Sequence, residues 1–453
     1  MKVGPRSGSY RLPAILPDHS GGSDREHFRF MGNLWFPARM FALFAAFPLA
    51  AAAVGGLNAS KVAGYRDQQA FHIPSIEAIA ANFSFSTLDS LPTATTPLLH
   101  TIGAIFVAFF GLPPEWVSII AAACSGALLV AIVVTVRPLV GERFAYIAVL
   151  PLVFSPYFLQ AALWFNTDSV AVLLALLALL VLNKDQEPLS LYRPVIAGLL
   201  ALAAVLVRQS SVWVLPVLVV IVVLSGRGQS CRTLLLRVFL ALFPAVIGLS
   251  IFVALWGGLT APLANEFNNS GRSIAAVPYA IIIFGLIFTP LLVALPPRDG
   301  GPLERKVQIA SALVGLGLGA AWMSVPSAES GRHGGMLWTV VGQGLDFADR
   351  SVVFVLFVGL ASVGLVNVLS RLTLIDSLAV ATGLVSVGVV VAAGSQVFQR
   401  YVELPALALL AFVLVGLKMR NTLARIWPIY LLVACQATLV SAIVVLPTMG
   451  SVS

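Results

Sequence analysis

Val117-Ser-Ile-Ile-Ala-Ala-Ala-Cys-Ser-Gly-Ala-Leu-Leu-Val-Ala-Ile-Val-Val-Thr-Val136 runs for 20 residues without a charged side chain and stops at Arg137. A helix of that length covers about 30 Å, the depth of a bilayer's hydrocarbon core, and satisfies its own backbone hydrogen bonds. Val238–Trp256 is a second such run. The rest of the chain has the same character. Its 453 residues are 59% hydrophobic and 10% charged, with mean hydropathy +0.97. A soluble domain carries roughly 25% charged residues, so a water-soluble enzyme is excluded. The chain reads as an all-α polytopic membrane protein.

The balance of 27 Lys+Arg against 19 Asp+Glu gives a net charge of +8. In a lipid-embedded bundle that excess belongs to cytoplasmic loops rather than to nucleic-acid binding. Cys124, Cys231 and Cys435 lie far apart, with neither zinc-site spacing nor a disulfide framework. Residues 1–35 hold Arg6, Arg11, Arg25 and Arg29 and no apolar run, so they read as a flexible cytoplasmic arm preceding a transmembrane domain over 36–453.

Apolar segments fall near 36–57, 114–136, 144–163, 168–183, 193–208, 211–225, 234–257, 277–295, 307–325, 351–369, 376–394, 404–417 and 426–447. Pro97–Leu112 is too short to cross and is bounded by prolines. Treated as an interfacial helix, it leaves 13 spans with the N-terminus inside. Of the 27 basic residues, 20 then face the cytoplasm and 7 lie outside: Lys61, Arg66, Arg208, Arg272, Arg332, Arg350 and Arg400. Counting Pro97–Leu112 as a span destroys that positive-inside bias. The long connections, about 58–113, 258–276 and 326–350, are all outside, which places function on the non-cytoplasmic face. The run Gly315-Leu-Gly-Leu-Gly lies within a span and reads as helix packing rather than a phosphate cradle.

The first outer loop, 58–113, carries the chemistry. Asp67 follows the first span closely. Pro74 or Ser75 starts a short helix with Ile76, Ile79 and Phe83 on one face. A carboxylate at the water–lipid boundary can act as a general base toward a sugar hydroxyl. Capping the loop or pairing with Arg66 is the structural alternative for Asp67.

Arg66-Asp67-Gln-Gln-Ala-Phe-His72-Ile-Pro74, followed by Thr95-Thr96-Pro97, resembles the first lumenal loop of the eukaryotic dolichyl-phosphate-glucose α-1,2-glucosyltransferases. These GT-C superfamily enzymes add the terminal glucose in lipid-linked oligosaccharide assembly. Three further blocks resemble the family in the same order: Asn166-Thr167-Asp168, Arg208-Gln209-Ser-Ser-Val-Trp213, and Phe398-Gln399-Arg400-Tyr401-Val-Glu-Leu-Pro405. The blocks cover about a sixth of the chain. The charge-derived topology puts all four outside or at outer span ends. Two features depart from the pattern: the family's acidic pair becomes Asp67-Gln68, and its Gly-Asp-Arg/Lys block is represented only by Asn268-Asn269-Ser270-Gly271-Arg272.

The resemblance implies a GT-C-like bundle of about 13 helices with interfacial helices in its first outer loop. It also implies inverting transfer of a sugar from a polyprenyl or dolichyl phosphate donor to a lipid-linked or other glycan acceptor. Asp67 would be the base. Arg208 and Arg400 would hold the donor phosphate, with Arg272 a weaker candidate. His72, Asp168, Tyr401, Trp213 and Arg66 would bind substrate; His100 and Trp164 are secondary candidates. For the arginines the bland alternative is snorkelling, or pairing with Glu403 or Asp168. The His and carboxylate spacings suit no metal, and no cofactor is implied. A transporter or lipid flippase is the rival class, but no internal repeat is present and ionisable residues gather at span ends. Asn58-Ala-Ser60, Asn82-Phe-Ser84 and Asn268-Asn-Ser270 are sequons on the outer side.

Overall fold

The computed structural model describes the chain except residues 1–21, 56–58, 183–189, 265–271, 298–300, 322–332, 395 and 450–453, with backbone alone at 22–35 and 448–449. The helix carrying the first span, Gly22–Gly55, begins well before Phe36. The chain divides into two units, Met1–Leu43 and Phe44–Ser453, and the helical bundle belongs to the second. Most of the arm, Asn58, Arg332 and the 268–271 block lie outside the described residues.

The only strands among the described residues are two-residue bridges: His333–Gly334 parallel to Val397–Phe398, and Asp346–Phe347 antiparallel to Arg350–Ser351. Gln399–Met419 and Thr167–Leu182 form the bundle's centre, buried on nearly every face. Helices that are apolar all round are those that other helices surround. By contrast Cys231–Trp256 exposes Leu235, Phe239, Phe243, Val246 and Ile251 and so presents its flank to lipid.

Eight described helices are long and apolar enough to cross a bilayer, or nine with one bent pair. The expected count of 13 is not reproduced by that measure, and the reason is length. Thr167–Leu182 and Tyr192–Val207 have 16 residues each, about 24 Å at 1.5 Å per residue. The span expected over 144–163 is instead two helices, Glu142–Val153 and Pro156–Leu163, meeting at 87°. Ser155 precedes a proline, which disfavours helical backbone there, and its Oγ accepts from the Phe158 N–H to cap the second helix.

Helix Leu98–Phe110 has 13 residues, buries Leu99, His100, Gly103 and Ala104, and exposes Phe109 and Phe110. The first long loop is helical from Ala63 to Ala81, with a π-helical turn at Gln68–His72 in the middle. The helix expected after Pro74 is there, with Ile73, Ile76 and Ile79 buried, but it starts at Ile73 and ends before Asn82. Phe83 therefore leaves the apolar face and is exposed, contrary to the sequence pattern.

Candidate active site

The bundle's helix ends bring four charged residues from four separate segments together. Asp67 closes the helical turn Ala63–Asp67; Asp168 sits in the first turn of Thr167–Leu182; Arg208 follows the end of Tyr192–Val207; Arg400 opens Gln399–Met419. Arg400 Nη1 lies 2.6 Å from Asp67 Oδ2, and its Nε lies 3.7 Å from Asp168 Oδ2. Arg208 Nε lies 2.9 Å from Asp168 Oδ1. Asp168 is only 5% exposed and bridges both arginines, while Asp67 is 26% exposed and bonds one.

Tyr401 completes the group. Arg208 and Arg400 lie over its ring at 4.7 Å and 5.2 Å, and Arg400 also lies over Phe398 at 5.2 Å. Arg208 Nη1 donates to Thr167 Oγ1 at 2.9 Å and its Nε to Ser210 Oγ at 3.2 Å. Stacked and forked in this way, the guanidiniums are held in fixed planes, as a lysine ammonium would not be. Asp168, Arg208, Trp213, Arg400 and Tyr401 line a shallow cleft together with Val387, Val390, Val391 and Leu404. Two cationic forks and an apolar lining therefore share one cleft.

His72 is buried and bonds His100: Nδ1 and Nε2 lie 2.8 Å apart, and both rings pack on Phe165. Burial, and after it the charges of Arg208 and Arg400, push the His72 imidazole down to about 3. Burial and then His72 lower His100 in the same direction. Both rings are neutral when folded, and the unfolded chain binds their protons first. Stability is therefore fully present above about pH 6.5 and lost as pH falls toward 3, by about 1.4 kcal/mol per pH unit for His72. Thermal midpoints recorded from pH 7.5 to 4 should fall steeply for the wild type and less for His72→Asn; parallel curves would contradict the assignment.

The remaining candidates fall elsewhere. Arg66 is exposed and joins none of these ion pairs, and Arg272 is exposed. Trp164 packs in a separate apolar cluster with Ala59, Val62 and Val444. Arg400 does not pair with Glu403, which is buried among Ser155, Gln399 and Gln436 instead. No three His, Cys, Asp or Glu side chains converge as a metal cage among the described residues.

Sequence reasoning missed a set of glutamines. Gln160 Oε1 accepts the Gly64 N–H at 3.2 Å, and Gln68 Oε1 accepts the Phe165 N–H at 2.6 Å. Gln209 accepts the Thr96 N–H at 3.2 Å and donates to the Ala94 carbonyl, while Thr96 Oγ1 donates to the Val205 carbonyl at 2.6 Å. These amides fasten the first long loop to the bundle on both sides of His72. Gln68, which stands where the resembling family has a second acid, is thus turned into the protein. Removing a partner from buried backbone groups costs about 1–3 kcal/mol. Gln209→Leu should lower stability by about that much and loosen 94–97, measured by unfolding and by hydrogen exchange of that segment; Gln69→Leu, at an exposed position of the π-helical turn, should do neither.

Fold and site together define an α-helical polytopic membrane protein with a paired-charge cleft at its helix ends. Residues 94–256 match the family model for dolichyl-phosphate-mannose-protein mannosyltransferase. The match spans about a third of the chain and includes Asp168 and Arg208 but neither Asp67 nor Arg400. No curated protein matches the sequence. Among solved structures, ArnT from Cupriavidus metallidurans bound to undecaprenyl phosphate is 16% identical, with a TM-score of 0.38 over 84% of this chain and 77% of that one. Its apo form is 14% identical, with a TM-score of 0.34 over 79% and 73%. TM-scores of that size set no residue of one chain against a residue of the other.

Proposed function

We propose that this protein is an integral membrane glycosyltransferase of the GT-C type, transferring a hexose from a polyprenyl-phosphate donor to a lipid-linked or other glycan acceptor on the non-cytoplasmic face. The observation that carries this reading is the cleft itself: two stacked arginines and Asp168 share its lining with Val387, Val390, Val391 and Leu404, and Asp67 pairs with Arg400 at its edge. Such a pairing suits an amphipathic anion, with a phosphate on the forks and its first isoprene units on the valines. The family-model match over 94–256 supports the class. The four blocks shared with the glucosyltransferases add glucose as the first donor to try.

With four opposite charges in balance, a phosphate entering the cleft competes for arginines already paired. Arg400 is the one whose partner, Asp67, is more accessible. As the phosphate takes Arg400, Asp67 is released toward the acceptor. Its carboxylate then accepts the acceptor hydroxyl's proton as that oxygen attacks the anomeric carbon. The bond from that carbon to the phosphate oxygen breaks with inversion. The lipid phosphate leaves as a stable anion held by Arg208 and Arg400, so no general acid is needed. Asp168 keeps both guanidiniums in place throughout.

Purified protein in nanodiscs, supplied with polyprenyl-phosphate glucose or mannose and a glycan-lipid acceptor extract, should release free polyprenyl phosphate in step with glycosylated product. Donors left intact by folded protein with every acceptor fraction would overturn the reading.

A further inference from the structure

We infer that Glu403 and Gln399 are positioning residues for Arg400, holding the outer segment 333–338 against the ring on which the Arg400 guanidinium rests. The inference rests on the reading of Arg400 as the phosphate ligand. Glu403 lies one helical turn after Arg400 and is 3% exposed. It takes part in none of the ion pairs around Arg400. Its carboxylate instead accepts three neutral donors: Ser155 Oγ at 2.7 Å, Gln399 Nε2 at 2.8 Å and Gln436 Nε2 at 3.4 Å. A buried acid with this many partners fixes the orientation of each of them.

For Gln399 that orientation has a consequence. With its amide nitrogen committed to Glu403, its Oε1 points outward and accepts the Leu337 N–H at 3.0 Å. Tyr157 Oη accepts the neighbouring Met336 N–H at 3.1 Å, and Trp338 Nε1 donates to the Val397 carbonyl at 2.9 Å. The same stretch forms the parallel bridge of His333–Gly334 with Val397–Phe398. Gly334 therefore lies directly on the Phe398 ring, so close that a Cβ there would overlap it. The same ring carries Arg400, 5.2 Å from its centroid. Glu403, Gln399, segment 333–338, Phe398 and Arg400 thus form one physical chain, whose buried end is a carboxylate that touches no substrate.

Two variants test the chain from its two ends. Glu403→Ala leaves Ser155, Gln399 and Gln436 without their acceptor. Gln399→Leu removes the acceptor of Leu337 and one of the three donors to Glu403. Hydrogen exchange of 333–342 in nanodiscs should quicken about tenfold in each, the effect of losing roughly one net hydrogen bond. Glu403→Gln should restore protection, because its Oε1 can still accept from Gln399 while the Ser155 hydroxyl and the Gln436 amide turn to meet its NH₂. In turnover assays the donor KM should rise about tenfold in Glu403→Ala and Gln399→Leu with kcat within a few-fold of wild type, and return in Glu403→Gln. Unchanged exchange in both variants would overturn the inference. So would faster exchange with an unchanged donor KM. If the wild type transfers no sugar at all, the reading of the site fails; the exchange data then show by themselves whether Glu403 holds the segment, and binding of polyprenyl phosphate alone replaces KM as the test of Arg400.

Discussion

Asp67→Asn is expected to lower sugar transfer by about 10²–10⁴-fold, the contribution of a positioned general base, while the protein folds and binds donor. Asn keeps the volume and one acceptor oxygen of Asp67, so the 2.6 Å contact with Arg400 survives as a neutral hydrogen bond. What is lost is the site for the acceptor's proton. Because Arg400 then keeps only its longer contact with Asp168 as a charged partner, donor binding should tighten or stay constant, and the whole deficit should fall in kcat. Asp67→Glu moves the carboxylate by one methylene and should keep part of the rate. Parallel losses in kcat and donor affinity would instead mark Asp67 as a partner that shapes the arginine. Full activity in Asp67→Asn would remove it from the chemistry.

Arg400→Lys carries the second large expected effect. The charge remains, yet one ammonium cannot reach Asp67 and Asp168 in fixed directions or lie flat on Tyr401 and Phe398. A charge-assisted hydrogen bond is worth about 1.5–3 kcal/mol, so the donor KM should rise about 10–100-fold. Arg208→Lys should have the smaller effect of the two, since Asp168 and Thr167 tether Arg208 at one side of the cleft. Initial rates across donor concentrations decide this. An unchanged donor KM in Arg400→Lys would contradict a phosphate role.

The class of fold was readable from apolar run lengths, because a bilayer demands them. The charged residues that converge in the candidate site stood out for a related reason. A chain with 10% charged residues has few to place at span ends, and Asp67, Asp168, Arg208 and Arg400 are among them. Of the two acidic partners the sequence offers these arginines, Asp168 does pair with both, whereas helical geometry turns Glu403 into the bundle beside Ser155 and Gln436; the pairing of Arg400 with Asp67 was not legible. The expected 13 crossings are not reproduced by helix length where the chain breaks before Pro156 and in the 16-residue helix Thr167–Leu182. The clamping role of the glutamines at 68, 160, 209 and 399 was not legible, although three of them stand in the quoted blocks, since an amide becomes informative only once the backbone group it serves is known.

The central claim is that the cleft breaks a sugar–phosphate bond with Asp67 as base. The most direct test follows a radiolabelled polyprenyl-phosphate hexose in proteoliposomes of wild type and Asp67→Asn with a glycan-lipid acceptor. Labelled product and free polyprenyl phosphate should appear in equal amounts with the wild type, and bound but intact donor with Asp67→Asn. Donor that crosses the bilayer unbroken in both, with no label on the acceptor, would contradict the claim and make the protein a transporter of that lipid.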